Sequence, residues 1–183
     1  MTVFGIDPGS ERTGFGCVRS DGHRHSLVCH GAVRVEAGSA FPDRLRTIFR
    51  ALVAELERCR PDCVAVESIF YATNVRSALK LGHARGVAML AAVECGVPVA
   101  EYTPAEIKRA VVGYGRAEKP QVQQMVKLLL GLDRVPTPHD AADALAVAIC
   151  HLHLAASPAA AASRGEAGAA ATRSWRQYRP PTR

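Results

Sequence analysis

The chain has 183 residues, 48% of them hydrophobic, and carries 23 Lys and Arg against 17 Asp and Glu, a formal charge of +6. That is the length of one domain with a tail and the apolar content of a real core. No stretch approaches the roughly 18 uninterrupted apolar residues of a membrane span, and no basic leader precedes the first apolar run, which excludes a signal peptide as the expected reading and leaves the cytoplasm as the expected compartment.

A short β-branched and aromatic run at residues 2–7, closed by Asp7-Pro8-Gly9, predicts a first strand and a turn. Residues 14–18 and 27–35 predict two more strands, with Asp21-Gly22 as the hairpin between them. The period then changes. Leu45, Ile48, Phe49, Leu52, Val53 and Leu56 recur at three and four, an amphipathic helix over residues 42–58 that Pro61 closes. Residues 63–66 are a fully apolar short run, suited to a central strand. A long helix follows at residues 74–95. Gly82 and Gly86 inside it cost helix stability, so close packing against a neighbour is expected there.

Residues 97–100 read as a further strand, and Thr103-Pro104-Ala105-Glu106 as a capping box that opens a helix ending near Val112. After the break at Gly113-Tyr114-Gly115-Arg116, Val122, Met125, Val126 and Leu129 mark another helix, and a last one spans residues 140–154. Three closely linked strands followed by alternating helices and strands predict an α/β domain. Its five-stranded mixed sheet has three antiparallel strands, then two parallel ones, with helices on both faces. The domain is expected over residues 1–156. Residues 157–183 are rich in alanine, glycine and proline and read as a basic disordered tail, whose arginines supply +4 of the net charge. Trp175 and Tyr178 in that tail are expected to be solvent-exposed.

The six cysteines form no C-x-x-C pair. They lie in or beside apolar segments, or end a helix in the case of Cys59, and read as small buried hydrophobes rather than as disulfides. Cys150, His151 and His153 cluster in sequence, but the adjacent pair points apart on a helix, so no structural zinc is expected there.

Four acids stand at the ends of core-forming elements: Asp7, Glu67, Asp140 and Asp143. An unpaired buried carboxylate is costly. If the strands ending in Asp7 and Glu67 are parallel neighbours, both carboxylates emerge at one sheet edge, where ligands commonly gather. Asp140 and Asp143 are i and i+3 on the last helix and share a face. Four carboxylates brought together need cations between them, and hard oxygen donors select magnesium or manganese. Two such ions about 4 Å apart would fit a hydrolytic nuclease site. Taken alone, Asp7 is also explained as a turn residue and Asp140 and Asp143 as first-turn helix acids; Glu67, which follows an apolar strand and has no adjacent basic residue, is the hardest to explain that way.

The words around these acids are more specific. They are G-I-D-P-G-S-x-x-T-G-F-G at 5–16, V-E-S-I-F at 66–70 and S-A-L-K-L-G-H-A-R-G-V at 77–87. V-V-G-Y-G-R-A-E-K-x-Q-V at 111–122 and D-A-A-D-A-L-A-V-A-I at 140–149 complete the set. In this order, and covering about residues 3–154, they closely resemble the RuvC family of Holliday junction resolvases, of ribonuclease H-like fold. The resemblance implies catalytic and metal-ligating roles for Asp7, Glu67, Asp140 and Asp143, with magnesium or manganese bound. It implies a homodimer that cuts two strands of like polarity in a four-way DNA junction, leaves 5′-phosphates, and cooperates with the RuvA–RuvB branch-migration motor. Some relatives ligate metal through a histidine where this chain has Asp140, which makes His139 the alternative ligand.

Lys108 and Lys119 match family lysines near the scissile backbone, and Phe70 matches an aromatic that probes bases at the junction centre; Tyr71 beside it is a further stacking candidate. Arg76 and Lys80, four apart on the long helix, can line one stripe against DNA, whereas Arg85 falls off it. The long helix carries more apolar surface than one sheet face needs, so residues 77–93 are the expected dimer interface. Two other readings stay open: a ribonuclease H-like enzyme on hybrids or ordinary duplex, and a non-catalytic junction-binding protein.

Overall fold

A computed structural model describes residues 1–68 and 74–155. The expectations for Phe70, Tyr71 and the tail fall outside those residues. The strands are β1 (Thr2–Asp7), β2 (Arg12–Ser20), β3 (His25–Arg34), β4 (Cys63–Glu67) and β5 (Val99–Tyr102). The helices are α1 (Phe41–Cys59), α2 (Val75–Glu94), α3 (Pro104–Val112), α4 (Lys119–Leu129) and α5 (His139–Ala155). The five strands form one sheet in the order β3-β2-β1-β4-β5. β1–β2 and β2–β3 are antiparallel, while β1–β4 and β4–β5 are parallel. The mixed sheet is therefore the one expected.

Each face of the sheet carries its own core. Val3, Val18 and Ala65 pack with residues of α3, α4 and α5. Phe4, Ile6, Phe15, Cys17, Val64 and Val66 pack with α1 and α2. Successive strand side chains alternate between faces, so Asp7 and Glu67 share the parity of Val3 and Ala65 and belong to the α5 face. No helix of the described residues is long and apolar enough to cross a membrane.

α5 is the central helix. Ala141, Ala142, Ala144, Leu145, Ala146, Val147, Ala148, Ile149, Cys150 and Leu152 are all buried along it. A helix buried on nearly every side must lie close to its neighbours, and two glycines let it. A Cβ on Gly5 would stand 1.9 Å from the Ala144 carbonyl oxygen, and one on Gly14 would stand 2.0 Å from the Asp140 carbonyl oxygen. The strands are hollowed where the helix backbone crosses them.

Two expectations need correction, and a third finds no partner within the described residues. β5 runs two residues later than the apolar run at residues 97–100. Pro98 has no N–H for the ladder, and only its carbonyl serves the sheet, accepting from the Val64 amide at 2.9 Å. The strand proper pairs Val99 to Tyr102 with Val64 to Glu67. β2 and β3 are longer than the 14–18 and 27–35 windows at the hairpin side. The Asp21 carboxylate accepts from the amides of His23 and Arg24 at 2.8 Å and tightens the turn, so the ladder continues to Ser20 and His25. Gly82 and Gly86 meet no neighbour within the described residues: a Cβ on either would face open space.

Candidate active site

The C-terminal edge of the sheet collects the acids. Ile6 pairs with Val66 in the parallel β1–β4 ladder, so Asp7 and Glu67 leave the sheet side by side. The turn after Asp7 is fixed by Thr13, a fully buried residue whose hydroxyl donates to the Gly9 carbonyl at 2.8 Å and accepts from the Gly9 amide at 3.3 Å. Gly14 lies opposite Asp7 in the β1–β2 ladder. Because the backbone of Asp140 rests on that same glycine, the first turn of α5 is delivered to the acidic edge.

A cleft of about 380 Å³ opens there. Asp7, Glu67 and Asp143 line it together with Lys108, Lys119, Pro104 and Ile107. The Thr103–Glu106 capping box forms as expected, with Glu106 accepting from the Thr103 amide at 2.7 Å. It starts α3 and sets Lys108 along one wall. Lys119 is the first residue of α4, next to Pro120. The Glu118 amide just before it donates to the Gln121 side chain at 2.8 Å.

Asp140 sits at the rim: its charge still adds to the upward push on Asp7, after burial, Glu67 and Asp143. The Asp140 carboxylate accepts from the Arg12 guanidinium at 3.2 Å, on the rim of an adjoining cleft that also contains Arg34 and Arg44. Arg12 is a site residue that the sequence reading passed over. It sits between motif positions, and only the β1–β2 pairing brings it to α5. His139 is exposed at the start of α5.

The charges in the cleft oppose one another. Burial, then the neighbouring Glu67 and Asp143 carboxylates, push the Asp7 carboxyl up to about 8, while Lys119 pulls it down. Glu67 is raised for the same reasons, burial first and Asp143 second, with Lys119 and Lys108 opposing. Lys119 bonds the Asp143 carboxylate at 2.5 Å, and that bond holds its ammonium above the ordinary lysine value. One or two lysines therefore face three carboxylates, and the cleft is short of positive charge. An all-oxygen, half-buried donor set in that condition fits hard divalent cations such as magnesium or manganese.

Arg76 and Lys80 are both exposed on α2. Arg85 is occupied by an ion pair with Glu101 of β5, consistent with its place off the Arg76–Lys80 stripe. The sequence neighbours Cys150, His151 and His153 go separate ways. Cys150 is buried in the core, His151 meets the Tyr102 hydroxyl at 2.8 Å, and His153 donates from Nδ1 to the Ala110 carbonyl at 2.8 Å.

Comparison with known proteins identifies the family. The family model described as crossover junction endodeoxyribonuclease RuvC matches residues 3–151. A protein of that name from Koribacter versatilis is 56% identical over 157 residues, covering 85% of this chain and 95% of the relative. Another from Trichlorobacter lovleyi is 52% identical over 185 aligned positions, covering 98% and 100%. Among solved structures, Thermus thermophilus RuvC in complex with Holliday junction substrate superposes with a TM-score of 0.82 at 38% identity, covering 85% of this chain and 95% of that one. With half its residues shared over nearly the whole length of such relatives, and with their ribonuclease H-like fold, the chain belongs to the RuvC family of crossover junction endodeoxyribonucleases.

Proposed function

We propose that this protein resolves four-way DNA junctions by divalent-metal-dependent hydrolysis at the cleft between β1, β4 and α5. The observation that carries the reading is the meeting of Asp7, Glu67 and Asp143 in one half-buried cleft whose charges lack compensation. Asp7, Glu67 and Asp143 are the ligands of magnesium or manganese, two ions per site with DNA bound. Asp140 completes the set from the rim in preference to His139, since Arg12 orients its carboxylate and it keeps the i,i+3 relation to Asp143. Bound cations supply Lewis-acid stabilisation of the phosphate and a more acidic water.

The remaining work falls to the chain. The Asp7 carboxyl, raised by burial and its neighbours, must give up its proton for the site to fill. Lys119 holds Asp143 in place and, with Lys108 in the same cleft, presents positive charge to the scissile phosphate. Arg76 and Lys80 contact phosphates farther along the duplex. Phe70 and Tyr71 are placed next to Glu67 by sequence and stack on unpaired bases at the junction centre. Removing Lys119 (Lys119→Ala) is expected to lower cleavage on the order of 10²-fold. It also removes the charge that holds Asp7 down, so the pH dependence of metal binding should move to higher pH. An unchanged pH profile would take Lys119 out of the site.

Two symmetric cuts on a two-fold junction require two copies of the cleft. α2 offers the surface. Val75, Leu79, Leu90 and Val93 are 75%, 60%, 53% and 66% exposed, and Gly82 and Gly86 lie open between them. A second copy of α2 would supply the close neighbour that these glycines lack within the chain. Leu79→Asp is expected to give a monomer by sedimentation at micromolar concentration while leaving the fold intact; a persistent dimer would move the interface elsewhere. Cleavage at symmetric positions in strands of like polarity, with 5′-phosphate ends, follows from such a dimer. The RuvA–RuvB motor is the partner that delivers the junction, in the cytoplasm.

The test of the function is direct. A synthetic four-way junction, a linear duplex and an RNA–DNA hybrid are offered under identical magnesium. Only the junction should be cut in pairs; equal cleavage of the hybrid would favour a general ribonuclease H-like activity.

A further inference from the structure

On the face of the sheet opposite the carboxylates, three thiols and a carboxylate converge. Cys29 of β3 and Cys59 in the last turn of α1 bring their sulfurs to 3.2 Å. Together with a carboxylate oxygen of Glu55, these donor atoms all lie within 4.8 Å of one another, and all three residues are half-buried. Cys17 of β2 stands directly across the ladder from Cys29. It is fully buried and interacts with both thiols. Glu55 is one helical turn before Cys59, on the same face of α1. Arg58 bonds Glu55, and both of its bonds go to Oε2, so Oε1 is left as a donor.

We propose that Cys17, Cys29, Cys59 and Glu55 form a binding site for a thiophilic divalent cation of the zinc class. Thiolates select such an ion over magnesium, and four donors are the number that closed zinc sites use. Zinc–sulfur bonds of about 2.3 Å at tetrahedral angles set sulfurs about 3.8 Å apart, so the 3.2 Å pair opens by roughly half an ångström on binding.

One thiol is already biased towards the ligating form. Cys29 is held below its ordinary value by the hydrogen bond from Cys17, then by Cys59 and the Arg58 guanidinium. Cys59 is pushed up by burial, so binding must release protons, as it does whenever thiols become ligands. A disulfide between Cys29 and Cys59 would use two of the four groups and leave the convergence of Cys17 and Glu55 without a role.

The site is a staple. It would join the edge strand β3 and its neighbour β2 to the C-terminal turn of α1, elements that otherwise meet through apolar packing. It is independent of the cleft, because Cys17 pairs with Phe4 of β1 and packs on the α1–α2 side.

Cobalt(II) is the probe. The full-length, reduced protein is titrated with it in excess magnesium, which fills the carboxylate cleft. The expected result is one cobalt per chain with a thiolate-to-metal charge-transfer absorption, displaced by zinc, and a melting temperature that rises with zinc concentration. Cys29→Ser and Cys59→Ser each remove the absorption, Glu55→Gln weakens binding about tenfold, and Cys95→Ser leaves it unchanged. Should a serine variant fail to fold, alkylation of the wild type decides: zinc should protect Cys29 and Cys59 in mapped peptides. Equal alkylation with and without zinc, or no thiolate band in the folded reduced protein, overturns the site. So does a Cys29–Cys59 disulfide in a protein that takes no cobalt when reduced.

Discussion

Asp7→Asn is expected to reduce junction cleavage by at least about 10³-fold and, in metal-free buffer near pH 8, to melt at a higher temperature than the wild type. The two effects share one cause. Asp7 is buried beside Glu67 and Asp143, which pushes its carboxyl from an ordinary value of 3.8 up to about 8. The folded protein therefore keeps a proton that the unfolded chain has lost. Stability falls with rising pH wherever the native state binds more protons. The favourable contribution is complete below the unfolded value and is lost as pH rises through about 8. An amide carries no charge and escapes that loss. Magnesium should reverse the ranking in the wild type alone, because only the carboxylate gains a cation. Thermal melts of both proteins from about pH 5 to about pH 8, with and without magnesium, check this. A wild type whose metal-free stability is flat over that range would show that Asp7 is not in conflict with its neighbours.

Gly5→Ala is expected to cost about 3 kcal/mol or more in urea unfolding, and most of the activity with it. The new methyl would stand 1.9 Å from the Ala144 carbonyl oxygen and 2.8 Å from the Ala148 amide nitrogen. Both are backbone atoms of α5, which is buried along most of its length and has nowhere to retreat. Any shift of α5 carries Asp143 away from Asp7. Gly16→Ala offers the contrast. Its methyl would meet Cδ2 and Cγ of Leu145 at 2.6 Å and the Leu145 backbone nitrogen only at 3.2 Å, so the conflict is mainly with a side chain and a smaller cost, nearer about 2 kcal/mol, is expected. If both substitutions proved equally mild, the close seating of α5 on the sheet would be wrong.

The contrast shows what the sequence could and could not say. Apolar runs and period changes located most elements, because the strands alternate or run apolar while α1 repeats at three and four residues; the capping box located α3. Parity along β1 and β4, once the strands were taken as parallel neighbours, was enough to put Asp7 and Glu67 at one edge. The fate of Asp140 was less legible. Its i,i+3 relation to Asp143 is correct, yet Arg12, 128 positions away, draws it to the rim. That partner appears only when β2 is laid beside β1 and α5 is seated on Gly14. Gly82 and Gly86 read as close packing against an unspecified neighbour. A glycine pattern signals close approach without saying which molecule approaches. The thiols illustrate the same limit: Cys17, Cys29 and Cys59 each look like a small core residue in its own segment, and only the β2–β3 register and the docking of α1 make them neighbours.

The most direct measurement of the whole account is strand-mapped cleavage of a synthetic four-way junction, run in magnesium and again after chelation. The expected products are paired nicks at symmetry-related positions in two strands of like polarity, sealed by ligase without further processing, and absent once divalent ions are removed. Undiminished cutting in chelator, or nicks distributed equally over a linear duplex, would contradict it.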